Sequence, residues 1–492
     1  MPLRFPACSL LLILFLAASA LSQTWVPINN QPNPNWALDN PLLLTDGTVL
    51  LHAPCTPNWY KLTPDSFGSY VNGTIKRVAN LPAGYGPLYF GSAVLPDGRV
   101  IIEGGEYNFC YPVWTNLGAI YDPKANKWTS VAPPAKWTTI GDAQSVVLPN
   151  GTYMQANCCS KQSALLNAQT LTWTITGGRK FDWNDEEGWT LLPDGTVLTV
   201  DAYVNSYNPD GKNYEIYNPG SHTWKSGPPS GTIVQLWDSY PNAQDATYEV
   251  GPAVLRPDGT VFATGANTAP GGSGNTAIYD TVTQTWTPGP IIPDHMDIAD
   301  GPASLLPNGN VLIQASPGYG DLPSKFFEWD GSTLTDVTRG MTDAPNIGSY
   351  YGNMLMLPTG EILYTDFGNI WVYRSKGNPD PAWAPQITSV PSTIARGGSY
   401  TIAGYNLNGF SQGAAYGDDT QAATNYPLVR ITNRVTGNVF YERTHDHSTM
   451  AIAYTSEAST TFDVSAKTQT GLSWIQIVTN GIASAPVTVN VK

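Results

Sequence analysis

One four-residue turn is written seven times in this chain, and it limits the fold more than any other feature. Its clear copies are Leu95-Pro96-Asp97-Gly98, Leu148-Pro149-Asn150-Gly151, Leu192-Pro193-Asp194-Gly195, Arg256-Pro257-Asp258-Gly259 and Leu306-Pro307-Asn308-Gly309. Leu44-Thr45-Asp46-Gly47 and Leu357-Pro358-Thr359-Gly360 are weaker copies. Proline pre-sets φ for a turn, and Asn or Asp before Gly supplies the positive φ of a tight hairpin. Apolar runs such as Ser145-Val146-Val147-Leu148 precede the turns, and β-rich runs such as Thr196-Val197-Leu198-Thr199-Val200 follow them. Each copy therefore reads as a β-hairpin tip.

The second turn residues, at 45, 96, 149, 193, 257, 307 and 358, are separated by 51, 53, 44, 64, 50 and 51 positions. A period near fifty with four strands per unit is the kelch period of a β-propeller. Within a unit a third strand follows (Ala119-Ile120-Tyr121, Glu215-Ile216-Tyr217, Ala277-Ile278-Tyr279), then a turn and a Trp-bearing strand such as Thr223-Trp224-Lys225. These tyrosines and tryptophans read as packing between blades. The last unit offers only three strands, 352–357, 361–366 and 369–374. Thr24–Ile28 can supply its fourth, closing the ring with one strand from each end and removing an open sheet edge.

The expected fold is thus all-β: a seven-bladed kelch-type β-propeller over 23–376, a linker over 377–383, and a second unit over 384–492. The linker reading rests on Gly377-Asn378-Pro379-Asp380-Pro381. Short alternating strands beyond it, such as Leu428-Val429-Arg430-Ile431 and Trp474-Ile475-Gln476-Ile477-Val478, fit an immunoglobulin-like β-sandwich.

Residues 1–22 read as an export signal. Arg4 supplies the positive start, Leu10 to Ala18 an apolar run too short to span a bilayer, and Ala18-Ser19-Ala20 a cleavage site. A secreted protein is expected, extracellular or periplasmic, with no membrane insertion. The chain carries 24 basic and 38 acidic residues, a net charge of −14. That balance disfavours nucleic acid as a partner, and a monomer is expected. Cys8 leaves with the signal, and Cys55, Cys110, Cys158 and Cys159 remain. Four cysteines in an exported chain suggest two disulfides, with three connectivities possible. Cys55–Cys110 with a vicinal Cys158–Cys159 pair is the favoured set. Free or cross-paired thiols at the second pair are the alternative.

Topology restricts where chemistry can sit. Hairpin tips share one face of a propeller, and the starts of the inner strands share the other, close to the axis. Seven positions before each turn proline, give or take one, stand Asp39, Tyr89 or Phe90, Asp142, Glu186 or Glu187, Glu249, Asp300, and Tyr350 or Tyr351. Four consecutive units thus place an acid at one channel mouth, where like charges need a cation or hydrogen-bond donors. Asp142, Glu186, Glu249, Asp300, Tyr350 and His445 are the candidate acid/base groups. Tyr89, Asp142, Glu186, Glu187, Glu249, Asp300, Tyr350 and Tyr351 are the candidate ligand-binding residues. Trp183, Trp189, Trp237 and Tyr248 are expected nearby, as aromatic faces for a sugar. His445-Asp446-His447 puts two imidazoles on one side of a strand, a usable metal geometry. Tyr350, His445, His447 and Asp300 are the candidate metal ligands, and calcium is the cation that oxygen donors suit. The alternative to a site is a set of carboxylates tying neighbouring blades together.

A secreted kelch-type propeller followed by an immunoglobulin-like domain resembles the galactose oxidase and glyoxal oxidase family. The resemblance implies a copper ion held by two tyrosines and two histidines, one tyrosine cross-linked to a cysteine. One histidine would arrive on a loop of the C-terminal domain that enters the pore. Residue by residue, the Tyr-His pair falls on Tyr350-Tyr351, the cross-linking cysteine near Phe90, its tyrosine partner on Asp142, and the C-terminal Thr-His on Thr444-His445. Three of these five positions carry another residue, which disfavours copper and copper-radical oxidation. The leading reading is a binding protein for a carbohydrate or other small polar ligand, with a hard cation at the mouth. An enzyme is the second reading, either a divergent copper oxidase or a carboxylate-based hydrolase or lyase. A structural or adhesive surface protein is the third.

Overall fold

A computed structural model describes residues 23–33, 37–202, 212–237, 249–266, 272–318 and 320–492. The expected export signal and Tyr248 lie outside the described residues. Apart from short 3₁₀ turns, the secondary structure of the described residues is β throughout. Seven sheets contain a four-stranded antiparallel ladder from successive parts of the chain. Their innermost strands are Asp39–Leu43, Gly91–Val94, Ser145–Val147, Thr190–Leu191, Ala253–Leu255, Ala303–Leu305 and Asn353–Met356. Asp39–Leu43 packs beside Gly91–Val94 on one side and Asn353–Met356 on the other, so the sheets from the two ends meet.

The repeated turn has a common physical cause. Its glycines all take positive φ, from +73° at Gly47 to +85° at Gly259 and Gly309. In six tips the Asx side chain accepts the backbone N–H two residues on, at 3.0 Å in each of Asp46, Asp97, Asn150, Asp194, Asp258 and Asn308. That bond replaces a backbone partner and sets the hairpin register. Asn150→Ala is expected to cost about 1 kcal/mol by removing one such bond. A urea titration that leaves the midpoint unmoved would count against this role.

Three of the Trp strands lie at the outer edges of their sheets with the ring against a tyrosine of the third strand. Ring centroids are 5.0 Å apart for Tyr121–Trp128, 5.3 Å for Tyr217–Trp224 and 5.0 Å for Tyr279–Trp286. In the seventh sheet that outer place is taken by Thr24–Pro27, antiparallel to Ile370–Arg374 with Trp25 opposite Tyr373. Trp25 is buried there, and its indole N–H donates to the Val337 carbonyl at 2.9 Å.

Residues 386–491 supply nine strands in one hydrogen-bonded array. Val439–His445 pairs with Leu428–Asn433 on one side and Ala458–Asp463 on the other. The array encloses its own core of Ile394, Ile402, Val429, Ile431, Phe462, Ile475, Ile477, Val489 and Val491. It is seated on the hairpin tips. Thr444 N–H donates to the Thr45 carbonyl at 3.2 Å, His447 N–H to Pro96 at 3.3 Å and Met450 N–H to Pro149 at 2.9 Å.

One long excursion from this array changes the propeller axis. Between Tyr405 and Leu428 the only strand is Ala414–Ala415, which joins Ala303–Leu305 as a fifth strand of the sixth sheet. Gln412 Oε1 accepts from Leu191 N–H at 2.7 Å, Gly413 C=O from Leu305 N–H at 2.6 Å, and Gln421 C=O from Ser92 Oγ at 3.3 Å. The excursion folds back on itself, with Thr424 N–H donating to Gln412 C=O at 2.7 Å. It therefore reaches inner strands of three different sheets and fills the axis as a plug.

Candidate functional site

The plug carries Gly417-Asp418-Asp419-Thr420 to the starts of the inner strands. A Cβ on Gly417 would lie 2.2 Å from Asp300 Oδ1 and 2.8 Å from the Val250 carbonyl, so only glycine lets the backbone pass. Gly188 likewise closes on the Gly417 carbonyl, 2.5 Å from where its Cβ would be.

Five carboxylates meet at this point. Oxygen atoms of Asp142, Glu186 and Asp418 lie within 4.8 Å of one another, and so do those of Glu186, Glu249 and Asp300. Glu186 belongs to both groups. Its carboxyl is pushed well above the usual range by burial, then by Asp142, Glu249, Asp300 and Asp185. Burial also raises Asp300, followed by Glu249, Asp419 and Asp142, and it raises Asp418, followed by Asp300, Asp419 and Glu186. Burial and then Asp142 push Asp419 up to about 7. Burial and the same neighbour push Glu106 up to about 7. Each acid is thus held by desolvation and by other acids, the condition under which a bound cation is most favoured.

Several of these oxygens are buried without a partner. Asp142 Oδ1, Asp300 Oδ1 and Asp419 Oδ2 accept no hydrogen bond, and Asp142 and Asp419 are 8% and 0% exposed. The backbone is strained at the same places, with positive φ at Tyr89 (+51°), Glu186 (+54°) and Asp300 (+61°). Non-glycine residues in the left-handed region cost free energy and cluster at functional sites.

Two tyrosines complete the mouth. Burial raises the Tyr89 hydroxyl far above its ordinary value, and Tyr350, Asp39, Asp419 and Asp300 add to it. The Tyr350 and Tyr351 ring centroids lie 3.9 Å apart, and Tyr416 of the plug donates its hydroxyl to the Tyr350 carbonyl at 2.6 Å. Trp114 brings an exposed aromatic segment up to the acids. Tyr111 is 71% and Trp114 50% exposed. The Trp114 indole packs against Gly141, the residue before Asp142.

Five sequence expectations are corrected here. Glu187 turns away from the mouth. Its carboxylate pairs with the buried Lys180 ammonium at 3.1 Å and accepts from Gln144 Nε2 at 3.0 Å, because the bend at Glu186, with φ +54°, turns the two side chains apart. His445 and His447 stand on the hairpin-tip face. His445 bonds Asp446 at 2.7 Å and Asp463 at 3.2 Å, and His447 bonds Thr460 Oγ1 at 2.8 Å. Neither belongs to the carboxylate groups at the mouth. Trp189 and Trp237 are core residues, Trp189 packing on Trp224 at 5.4 Å. Cys158 and Cys159 are free thiols, not a vicinal disulfide, whereas Cys55 and Cys110 are joined. Asp39 is a tie between sheets, accepting from Thr365 Oγ1 at 2.6 Å and from Asn353 Nδ2 at 3.1 Å.

Sequence reasoning missed Asp418 and Asp419, the aromatic segment and Lys180. The signal for the first two was a 22-residue strand-poor stretch, 406–427, too long for an ordinary loop. The mouth does not fit a centre of two tyrosines and two histidines. The imidazole carried over to His445 is on the other face, and His52 is buried with its Nε2 on the Thr56 carbonyl at 2.8 Å.

Fold and site together define an all-β propeller whose axis is filled by its C-terminal region and whose mouth is lined with carboxylates. The solved structures place it among propeller proteins. A fungal alcohol oxidase of the AA5 family, in complex with copper, matches over 95% of this chain and 98% of its own, with 13% identity and a TM-score of 0.50. A streptogramin B lyase matches over 72% of this chain and 97% of its own, with 12% identity and a TM-score of 0.48. At these identities the likeness is one of fold alone. No family model and no curated protein matches the sequence.

Proposed function

We propose that this is a secreted binding protein that takes a hard cation, calcium by preference, at the axial mouth and holds a carbohydrate or other polyol there. This reading takes 23–376 as a seven-bladed propeller and 384–492 as an immunoglobulin-like domain. The observation that carries it is the pair of carboxylate groups sharing Glu186, with buried oxygens of Asp142, Asp300 and Asp419 left without partners. A hard cation satisfies oxygen donors of this kind and keeps open positions for sugar hydroxyls. Tyr111 and Trp114 offer flat apolar faces beside it, as sugar rings require. The Cys55–Cys110 disulfide suits an oxidising compartment, and among the described residues no helix is long and apolar enough to cross a membrane.

Calorimetry on the mature chain tests the reading. Calcium is expected to bind with one-to-one stoichiometry, and polysaccharide binding is expected only when calcium is present. No heat with calcium and no hit on a glycan array would sink it. Glu106 and Asp419, poised near neutrality, favour one other reading, general acid/base catalysis on the same ligand. Release of reducing ends from a bound polysaccharide would select that reading, and peroxide release with simple sugars or aldehydes would restore copper oxidation.

A further inference from the structure

The two free thiols stand beside the mouth, and the binding reading leaves them unused. Their positions are set by backbone bonds on both sides. Cys158 N–H donates to the Ile140 carbonyl at 2.8 Å, Cys159 N–H to Asn184 at 3.0 Å, and Asn184 N–H back to Ser160 at 2.7 Å. This clamp brings the neighbouring Asp185 against both sulfurs. Asp185 Oδ1 accepts from Cys158 Sγ at 3.7 Å and from Cys159 Sγ at 3.6 Å. One ligand atom from each of the three lies within 4.8 Å of the others. Asp142 stands next along the chain after Gly141, and its buried Oδ1 has no partner. Gly141, at φ +70°, lets Cys158 come close, since a Cβ there would lie 2.9 Å from Cys158 Cβ.

We propose that Cys158, Cys159 and Asp185 bind one thiophilic dication of the zinc class, distinct from the cation of the oxygen-only groups around Glu186. Two sulfurs and one carboxylate oxygen, with a solvent oxygen in the fourth place, make a donor set that zinc accepts in four-coordinate geometry. Soft thiolates select such an ion against calcium. On binding, two S–H bonds break, two sulfur–metal bonds form, and two protons leave to solvent. No oxidation state changes. The dication then balances charge that two thiolates would otherwise bring to an already acidic region.

Cobalt reports on this site through its colour. The full mature chain, kept reduced with a phosphine, is titrated with cobalt(II). A thiolate-to-cobalt band in the near ultraviolet is expected to saturate at one equivalent, to vanish on adding zinc and to persist in excess calcium. Cys158→Ser and Asp185→Asn are each expected to weaken cobalt binding by more than about tenfold, since even outer partners of a metal site cost that much. A second readout uses the unsubstituted protein: zinc, and not calcium, is expected to slow alkylation of the exposed Cys159 by iodoacetamide. Absence of the thiolate band, alkylation unchanged by zinc, or a Cys158–Cys159 disulfide recovered from zinc-treated protein overturns the proposal.

Discussion

Lys180→Met is expected to destabilise the protein by about 3–5 kcal/mol, the cost of leaving buried charges without their partner. The Lys180 side chain is fully buried, with its ammonium 3.1 Å from Glu187, 3.4 Å from Asp201 and 2.5 Å from Glu215. Glu215 also accepts the backbone N–H groups of Phe181 at 2.7 Å and Asp182 at 3.2 Å. Burial opposes the lysine charge, yet Asp201, Glu187 and Glu215 hold its pKa well above the ordinary value. Burial raises Asp201 to about 8 against the pull of Lys180, so one acid of the cluster keeps its proton at neutral pH. Methionine matches the lysine stem in volume and removes the ammonium with its charge and its hydrogen bonds. Glu187→Gln and Glu215→Gln added to Lys180→Met should recover most of the loss, because the repelling groups go with the cation. A urea midpoint unchanged in Lys180→Met would mean that the buried cluster does not form in solution.

The paired substitution Glu186→Gln, Asp300→Asn is expected to act in the opposite direction on the metal-free protein, stabilising it by about 1–2 kcal/mol at pH 8 as strained functional sites do when relieved. Asp419 and Glu106 are both held at about 7 in the folded protein, chiefly by burial. The unfolded chain loses these protons near pH 4. Between about pH 4 and 7 the folded state therefore binds more protons, and stability falls as pH rises through that window. Glu186 and Asp300 are themselves raised by burial and add to this fall, so removing both should flatten it. Calcium at a hundred times its dissociation constant should stabilise the unsubstituted protein by about 2.7 kcal/mol. The paired variant should show no such gain. Thermal melts over pH 5 to 8, with and without calcium, read both effects. A variant less stable than its parent under all conditions would make the acids structural ties, as Asp39 is.

The seven turns were legible because each rests on local chemistry. A Pro-Asx-Gly tip needs its own glycine φ and its own Asx bond, and nothing distant alters either. The closing strand and the Cys55–Cys110 bridge join distant segments and were legible from the repeat, through a last unit one strand short and two cysteines in equivalent loops. Asp142, Glu186, Glu249 and Asp300 were legible for a related reason: equivalent places in successive repeats are brought to one axis. Glu187 shows the limit of that reasoning, because one step along the chain sends its side chain to the buried Lys180 instead of the mouth. His445 and His447 failed differently. A motif on a strand shows which side chains point together, but not which face of the neighbouring unit the strand is seated on.

The sequence by itself determined an all-β chain of repeated hairpins, a shortage of cationic partners for its acids, and a ring of acidic positions. These follow from turn chemistry, charge and period, all of which are short-range. Only the tertiary structure decided that residues 406–427 fill the axis and add Asp418 and Asp419 to the acids. It also decided that Cys158 and Cys159 stand with Asp185 as free thiols and that Tyr111 and Trp114 face outward. Each of those outcomes depends on where one segment docks against another far along the chain. That choice is made by summed packing and by the exclusion of a Cβ at Gly417, Gly188 and Gly141, where backbones and side chains of distant segments come too close for any other residue.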